Sequence, residues 1–293
     1  MNLNHLQYFA TLAKEEHYTK AAKKLSITQP SLSNAISLIE KELGIYLFEK
    51  KGRNVVLTKY GKVFLEYVEK TLDTLDQGIK KTKFLTSETS GIIDVGYIYT
   101  FGAKDIPILV NKFLKENNEK EYKCTLSDGN TSDIIKGLKN DDYDIGFCSK
   151  LDNEEDIEFI KIKEEELVLI TPKNHPLANK KEVDLRETTD YEYIAFKKNS
   201  GLRPFIDNMF KKMDIKQNIV YEVEKDESMA GLVESNFGIA IIPNIQLLKY
   251  LDVNIIKITN PKYERNIYMA KMKNKYLSPC VKEFIKFVIK EYK

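Results

Sequence analysis

Apolar and polar positions near the start of the chain follow a pattern typical of short packed helices. Residues 4–16 place apolar side chains on one side and predict a first helix. From Thr19 to Ile36 the pattern predicts two further helices joined by a tight turn, with Thr19 and Thr28 as their N-caps. The second of these helices would bury a stripe at spacings of four, three and four, formed by Leu32, Ile36, Ile39 and Leu43.

The outward face of this second helix carries short hydrogen-bonding side chains near its N-terminal end. A helix of this kind suits the DNA major groove, where amide and hydroxyl groups read base edges. A helical hairpin with a solvated polar face accounts for so short a pattern equally well, so the residues that follow decide between the two. The residues expected at bases or flanking phosphates are Thr28, Gln29, Pro30, Ser31, Ser33, Asn34 and Ser37.

A basic hairpin is predicted directly after the helix, which ends at Gly44. Its tip would be Gly52, and Lys50, Lys51 and Arg53 are expected to neutralise phosphates beside the helix. Residues 1–62 carry 10 Lys or Arg against 5 Asp or Glu, a net charge of +5, whereas residues 91–293 carry 32 against 34, a net charge of −2. The positive charge is therefore concentrated where DNA contact is predicted.

The first sixty positions carry a set of residue types at fixed spacing, namely Phe9, Ala13, Tyr18, Thr19, Ala21, Ala22, Leu25, Gln29, Pro30, Ser31, Leu32, Ser33, Ile36, Ile39, Glu40, Leu43, Gly44, Leu47, Phe48, Glu49, Leu57, Thr58 and Gly61. This set resembles the N-terminal domain of LysR-type transcriptional regulators. One departure is Asn34, where the family most often has Arg. Because asparagine suits adenine better than guanine in the major groove, the departure affects the base preference and leaves DNA binding as the expectation.

A long helix without proline is predicted over residues 59–86, with a narrow apolar seam formed by Phe64, Val68, Leu72, Leu75 and Ile79. So narrow a seam favours packing on a partner chain over packing on the helix's own domain. Two helix-turn-helix domains at a fixed separation would then read a two-half-site operator. The resemblance implies that this linker helix pairs two subunits into a homodimer, and that the assembly is a dimer of dimers, a homotetramer.

The pattern changes after a small polar run at residues 86–91, and strands then alternate with helices to the end of the chain. This alternation predicts a mainly parallel sheet with helices on both faces. These segments also resemble the LysR-type effector domain and, more broadly, periplasmic-type binding proteins. The predicted architecture is a winged helix-turn-helix domain (1–58), a linker dimerisation helix (59–88) and a periplasmic-binding-protein-like α/β effector domain (89–293), with subdomain I at about 91–160 and 267–293 and subdomain II at about 161–266.

Ligands of open α/β sheets bind beyond the carboxyl ends of strands, at helix N-termini. The resemblance implies an effector cleft there, with Thr100 at a commonly used hydroxyl position. A helix cap accounts for each single hydroxyl equally well, so the convergence of several positions carries the prediction. Lys197 and Lys198 nearby weakly favour an anionic effector. The expected effector residues are Tyr99, Thr100, Asn130, Thr131, Phe147, Phe196, Asn199, Ser200 and Asp226.

Motifs that would indicate an enzyme are missing from the sequence: there is no GxxxxGK[ST], GxSxG, HExxH or Gly-rich dinucleotide fingerprint. Cys124, Cys148 and Cys280 are far apart and form no CxxC pair, which argues against a disulfide framework or zinc site and fits a reducing cytoplasm. No stretch approaches the length of a membrane span. We therefore expect a cytoplasmic protein without metal, cofactor or catalytic residues.

These observations together predict a sequence-specific DNA-binding transcriptional regulator whose C-terminal domain binds a small-molecule effector. Its expected partners are double-stranded operator DNA, the effector and further copies of the chain, with RNA polymerase as another candidate. The competing interpretation is a small-molecule binding protein whose N-terminal helices serve only for oligomerisation. An enzyme with an appended DNA-binding domain would require a catalytic cluster, and the sequence offers none.

Overall fold

The computed structural model describes residues 1–292, which divide into two compact units with the boundary between residues 84 and 85 of the chain. The first unit is a helical domain with a two-stranded antiparallel wing. Its elements are α1 (Leu3–Glu15), α2 (Tyr18–Lys24), α3 (Gln29–Leu43), β1 (Phe48–Lys51), β2 (Asn54–Leu57) and α4 (Lys59–Leu85), the last of which crosses the division by one residue.

The ends of these helices depend on a few local residues. Thr28 caps α3 by accepting a hydrogen bond from the Ser31 amide, and Gly44 ends the helix with a left-handed φ of 68°. The prediction that Thr19 caps α2 is wrong. His17 is the last residue with extended backbone, so Thr19 already lies inside the first turn of α2.

The first unit encloses its own core, in which Phe9, Leu12, Leu32, Ile36, Ile39 and Leu47 are nearly inaccessible to solvent. Leu43 lies at the end of the predicted stripe and is more exposed than the other three. The seam of α4 is divided along its length. Phe64 and Val68 pack in this core, whereas Leu75 and Ile79 are 41% and 46% exposed.

The second unit is an α/β structure in which helices and strands alternate, as predicted. It contains strands that the sequence pattern did not reveal, namely those of residues 157–164, 182–184 and 253–260. In chain order its elements are β3 (Ser90–Ile98), α5 (Tyr99–Gly102), α6 (Asp105–Glu116), β4 (Glu121–Gly129), α7 (Thr131–Lys139), β5 (Ile145–Cys148), β6 (Ile157–Glu164), β7 (Leu167–Pro172), β8 (Glu182–Asp184), β9 (Glu192–Phe196), α8 (Leu202–Lys212), β10 (Asn218–Val223), α9 (Asp226–Glu234), β11 (Ala240–Pro243), β12 (Val253–Asn260), β13 (Asn266–Met272) and α10 (Pro279–Glu291).

The sheets of this unit are mixed, so the expectation of a mainly parallel sheet is wrong. The first sheet has the order β4-β3-β5-β13-β6, in which β13 runs antiparallel to both of its neighbours. The second has the order β11-β7-β12-β8, where β7 is antiparallel to both neighbours, and β9 pairs with β10 in parallel. Two antiparallel pairs, β13 with β6 and β12 with β7, involve strands missed in the sequence, whereas β13 with β5 and β11 with β7 join strands that the pattern had indicated.

Each large sheet has its own hydrophobic core, one with β3–β6, β13 and α10, the other with β7–β12. The chain passes from the first core to the second between Glu164 and Leu167, and returns between Asn260 and Asn266. These two crossings bring Glu165 and Arg265 between the subdomains.

No helix within residues 1–292 has the length and apolar character needed to cross a bilayer.

Candidate functional site

The predicted base-contacting residues lie along the N-terminal part of α3. Gln29, Asn34 and Ser37 are exposed, and Ser33 is half-buried. Thr28 and Ser31 are also exposed, but their hydroxyls lie 2.7 Å apart and take part in the helix cap. Gln29, Asn34 and Ser37 therefore have the freest polar groups, while Pro30 shapes the first turn.

Backbone amides of the wing and of the residue before it donate hydrogen bonds to the helical part of the domain. The Glu40 side chain on α3 accepts from the Leu47 amide at 2.7 Å, and the Val55 amide of β2 donates to the Glu16 carbonyl at 2.9 Å. Lys50, Lys51 and Arg53 are exposed on this wing, and Gly52 at its tip has a φ of 64° that favours glycine. A basic loop of fixed orientation is thus held in the same domain as α3.

In the second unit a pocket lies between the two subdomains. Eight of the nine predicted effector residues line it, and the exception is Phe147, which is fully buried in the first core and stacks on Phe101 with ring centroids 5.0 Å apart. Phe147 lies within β5, all four residues of which are buried, rather than after the end of the strand. The lining residues that the sequence did not indicate are Ile98, Gly129, Ser149, Gly201, Leu202, Glu224 and Arg265.

Three helices begin at this pocket. Asn130 caps α7 and accepts from the Asp133 amide at 3.0 Å, Gly201 precedes α8, and Asp226 is the first residue of α9. Each helix N-terminus presents backbone N–H groups and a partial positive charge. Hydroxyl and amide side chains from Thr100, Thr131 and other lining residues add further hydrogen-bonding groups. The arrangement suits a small polar molecule that carries negative charge.

Arg265, which lines the pocket, belongs to a buried ion pair. Arg265 and Glu165 are 5% and 10% exposed, and Arg265 Nε lies 3.3 Å from Glu165 Oε2. Arg265 Nη2 also donates to Ser149 Oγ at 2.7 Å, and the guanidinium lies 5.7 Å from the centroid of the Phe205 ring. Burial raises the pKa of Glu165, and the nearby Arg265 charge opposes that rise. The guanidinium is therefore already engaged by a protein carboxylate.

Asp226 and Thr100 leave polar atoms without partners. Within residues 1–292, neither Asp226 Oδ1 nor Thr100 Oγ1 has a hydrogen-bond partner, although both atoms are inaccessible to solvent. Burial raises the pKa of Asp226 to about 7, and the Glu165 and Glu227 carboxylates add to the rise. Buried polar atoms normally find a partner, so these two atoms indicate where a ligand would bind.

The space between the subdomains is narrow. About 410 Å³ is free of protein atoms, but only about 30 Å³ can be reached by the centre of a water molecule. Since one water needs roughly 10–15 Å³ of such volume, the pocket in this conformation holds only a few waters. A larger ligand would have to separate the subdomains on entry.

Among residues 1–292 no group of three or more His, Cys, Asp or Glu side chains is placed to hold a metal ion.

Comparison with known families matches both units. Residues 3–62 match the bacterial regulatory helix-turn-helix protein, lysR family, and residues 86–293 match the LysR substrate binding domain. An HTH-type transcriptional regulator of Bacillus subtilis (strain 168), the uncharacterized YybE, is 33% identical over 292 residues, covering 100% of this chain and 99% of that protein.

Solved structures agree with these matches. The effector binding domain of QuiR in complex with shikimate is 42% identical in sequence and has a TM-score of 0.68. The match covers 69% of this chain and 97% of the QuiR chain. Full-length CbnR complexed with its target DNA shares the fold over 100% of both chains, with a TM-score of 0.62 and 22% identity. The match of residues 3–62 to a DNA-binding family sets aside the interpretation that these helices serve only for oligomerisation. The chain belongs to the LysR family and is a DNA-binding transcriptional regulator, not an enzyme, with a C-terminal effector-binding domain.

Proposed function

We propose that the chain reads its operator through the exposed face of α3 and the basic wing. In this assignment Gln29, Asn34 and Ser37 contact base edges, since they are exposed and their side chains can donate and accept hydrogen bonds. Thr28, Pro30, Ser31 and Ser33 shape the first turns and lie near the flanking phosphates. Lys50, Lys51 and Arg53 neutralise phosphates and set the register on the duplex.

The proposed domain division is 1–58 for DNA binding, 59–88 for the linker helix and 89–293 for effector binding. The exposed Leu75 and Ile79 on α4 support pairing of two chains through this helix, because both are large apolar side chains left open to solvent. Such a homodimer presents two copies of α3 to a two-half-site operator. A homotetramer built from two such dimers, and contact with RNA polymerase at the promoter, complete the proposal.

The proposed effector is a small hydroxylated carboxylic acid of the shikimate class. The observation that carries this assignment is the convergence of three helix N-termini with hydroxyl and amide side chains in one pocket. The 42% identity to the effector binding domain of QuiR, a complex with shikimate, supports the same class of molecule. The effector acts by its difference in affinity between open and closed subdomain arrangements.

Fluorescence anisotropy against DNA from immediately upstream of the chain's own gene tests both halves of the proposal. A random duplex of equal length, a salt series and a shikimate titration complete the design. We expect selective binding that weakens with salt, and a change in operator affinity on adding shikimate. Equal binding to both duplexes would contradict the operator at that position, and genomic fragments would then be screened for another. Selective binding that shikimate leaves unchanged would contradict only the effector class.

We predict that Asn34→Ala and Lys51→Ala weaken operator binding in different ways. Loss of the Asn34 amide is expected to cost about 1–3 kcal/mol on the operator and to relax its base preference. Loss of the Lys51 charge should weaken all sequences similarly and flatten the salt dependence, because it removes one phosphate contact. Both residues are exposed, so folding should be unaffected. Identical effects of the two variants on operator and random DNA would contradict these roles.

We predict that Gly201→Ala weakens shikimate binding at least tenfold while leaving the fold intact. An added Cβ would lie 2.5 Å from Thr131 Oγ1 and 2.8 Å from Ser149 Oγ, across the cleft, so it would hold the subdomains apart. The backbone itself accepts alanine, because φ is −64°. Calorimetric titration measures the affinity, and Gly231→Ala is the matched control, since its Cβ meets no atom within 4 Å. Equal affinity in Gly201→Ala and wild type would exclude closure at this point.

A further inference from the structure

The effector pocket contains features of opposite charge preference. The N-termini of α7, α8 and α9 favour an anion. Asp226 brings a carboxyl group into the same pocket, where it is 4% exposed and its Oδ1 has no partner among residues 1–292. An ionised Asp226 would repel an anionic effector in a site from which most water is excluded.

Neighbouring charges do not offset an ionised Asp226. The Arg265 guanidinium beside β13 is a buried cation in the pocket lining, but it pairs with Glu165 and donates to Ser149. The Glu165 carboxylate therefore has a guanidinium partner, whereas the buried carboxyl group of Asp226 has no ion-pair partner within residues 1–292.

The other charged groups around the pocket lie nearer solvent. On the strand β10 side, Glu224 faces Lys197 at 3.7 Å. At the start of α9, Lys225 is exposed with its Nζ 5.2 Å from the centroid of the Tyr99 ring, and Glu227 is exposed. On the far side of Thr100 and Asp226, a wider cavity is lined by further charged groups, namely Lys104, Asp105, Lys163, Glu164, Glu166 and Lys249. None of these supplies a buried positive charge to Asp226.

We infer that Asp226 binds the effector's carboxylate as a neutral carboxylic acid, and that effector binding above neutral pH is accompanied by uptake of one proton at Asp226. The inference rests on the proposed class of effector and names the group that recognises its charge. In the bound state the protonated Asp226 oxygen donates to the effector carboxylate, a short and strong kind of hydrogen bond. The proton comes from solvent, and no covalent bond to the effector forms or breaks.

Proton uptake at Asp226 makes the affinity for the effector decrease with rising pH. Burial and the Glu165 and Glu227 charges raise the pKa of Asp226 to about 7 before the effector binds, and an adjacent effector carboxylate raises it further. Below about pH 7 the acid is already protonated, and affinity does not change with pH. Above it the proton must be taken up, so affinity falls about tenfold for each further pH unit.

Calorimetric titration of the full chain with shikimate tests the inference. We expect the affinity to fall about 30-fold between about pH 6 and about pH 8.5, as a free-state pKa of about 7 requires. At about pH 8, titrations in two buffers of different ionisation enthalpy should report uptake of close to one proton. The methyl ester of shikimate carries no charge, so it should bind without proton uptake.

Two variants assign the effect to one residue. Asp226→Asn keeps the shape, cannot ionise and still donates a hydrogen bond, so its affinity should be independent of pH and its proton uptake should vanish. Glu227→Gln is the matched control: it removes the same charge from the next, exposed residue of α9 and should retain most of the pH dependence. The uptake measurement on the wild-type chain needs no variant and stands even if Asp226→Asn folds poorly.

Four results of these titrations would contradict the inference, and each points to a different cause. Shikimate binding with constant affinity and no proton uptake would overturn the inference and leave the proposed effector class standing. Affinity that rises with pH would show that ionised Asp226 accepts from the effector's hydroxyls, which also overturns it. Persistent proton uptake in Asp226→Asn would assign the proton to another group. Absence of shikimate binding at every pH would overturn the effector class and, with it, the inference.

Discussion

Replacing Arg265 by methionine is expected to lower the free energy of unfolding of the effector-binding domain by about 3–5 kcal/mol. The substitution leaves Glu165 buried without its countercharge and removes the donor to Ser149 Oγ, while methionine retains much of the apolar volume beside Phe205. For a domain of this size the loss corresponds to a fall in Tm of roughly 6–20 °C. The chain contains no tryptophan, so scanning calorimetry and circular dichroism are the suitable measurements.

Arg203→Met is the matched control for this prediction. Arg203 is also buried and its Nη1 donates to the Phe196 carbonyl at 2.6 Å, but its charged partners Asp207 and Glu222 keep 48% and 41% of their side-chain surface exposed and remain hydrated without it. We therefore expect Arg203→Met to lower the free energy of unfolding much less than Arg265→Met does. The difference in the free energy of unfolding between Arg265→Met and the wild type should also shrink as the pH is lowered, because burial raises the pKa of Glu165 and a protonated Glu165 needs no countercharge. Equal losses in the two variants would contradict the special role of the Arg265–Glu165 pair.

The N-terminal domain was largely predictable because its signals are local. The cap at Thr28, the end of α3 at Gly44 and the turn at Gly52 each depend on residues close in sequence. The start of α2 was predicted two residues too late. Histidine is not a typical N-cap residue and the His17 side chain makes no capping hydrogen bond, so only the backbone conformation shows that the helix begins after it. A resemblance spread over sixty positions then supplied the function that periodicity alone left open.

The effector pocket was only partly predictable because half of its wall comes from distant segments. Thr100, Asn130 and Asp226 each follow a strand near the start of a helix, and all three line the pocket between the subdomains. Arg265 belongs to the segment that returns to the first sheet and meets Ser149 across 116 positions of sequence. No local pattern connects them, and β6 and β12, which lead into the two crossings between the sheets, were not among the strands that the sequence pattern indicated.

Leu32→Ala is expected to destabilise the DNA-binding domain by about 2–5 kcal/mol, because it empties a fully buried site beneath the recognition helix. A domain of this size has little stability to lose, so its Tm should fall by at least about 10 °C. Without a fixed α3, operator selectivity measured by anisotropy should be lost near that temperature. Shikimate binding by the second unit should persist, because that unit has a hydrophobic core of its own.

Leu38→Ala provides the comparison on the same helix. Leu38 is 44% exposed, so the same truncation removes little buried surface and should change the Tm of the domain only slightly. If both variants lowered the Tm equally, the buried face of α3 would be assigned incorrectly, and with it the exposed face that places Asn34 at the bases. If Leu32→Ala alone lowers it, the orientation of α3 follows from stability data that involve no DNA, independently of the operator measurements.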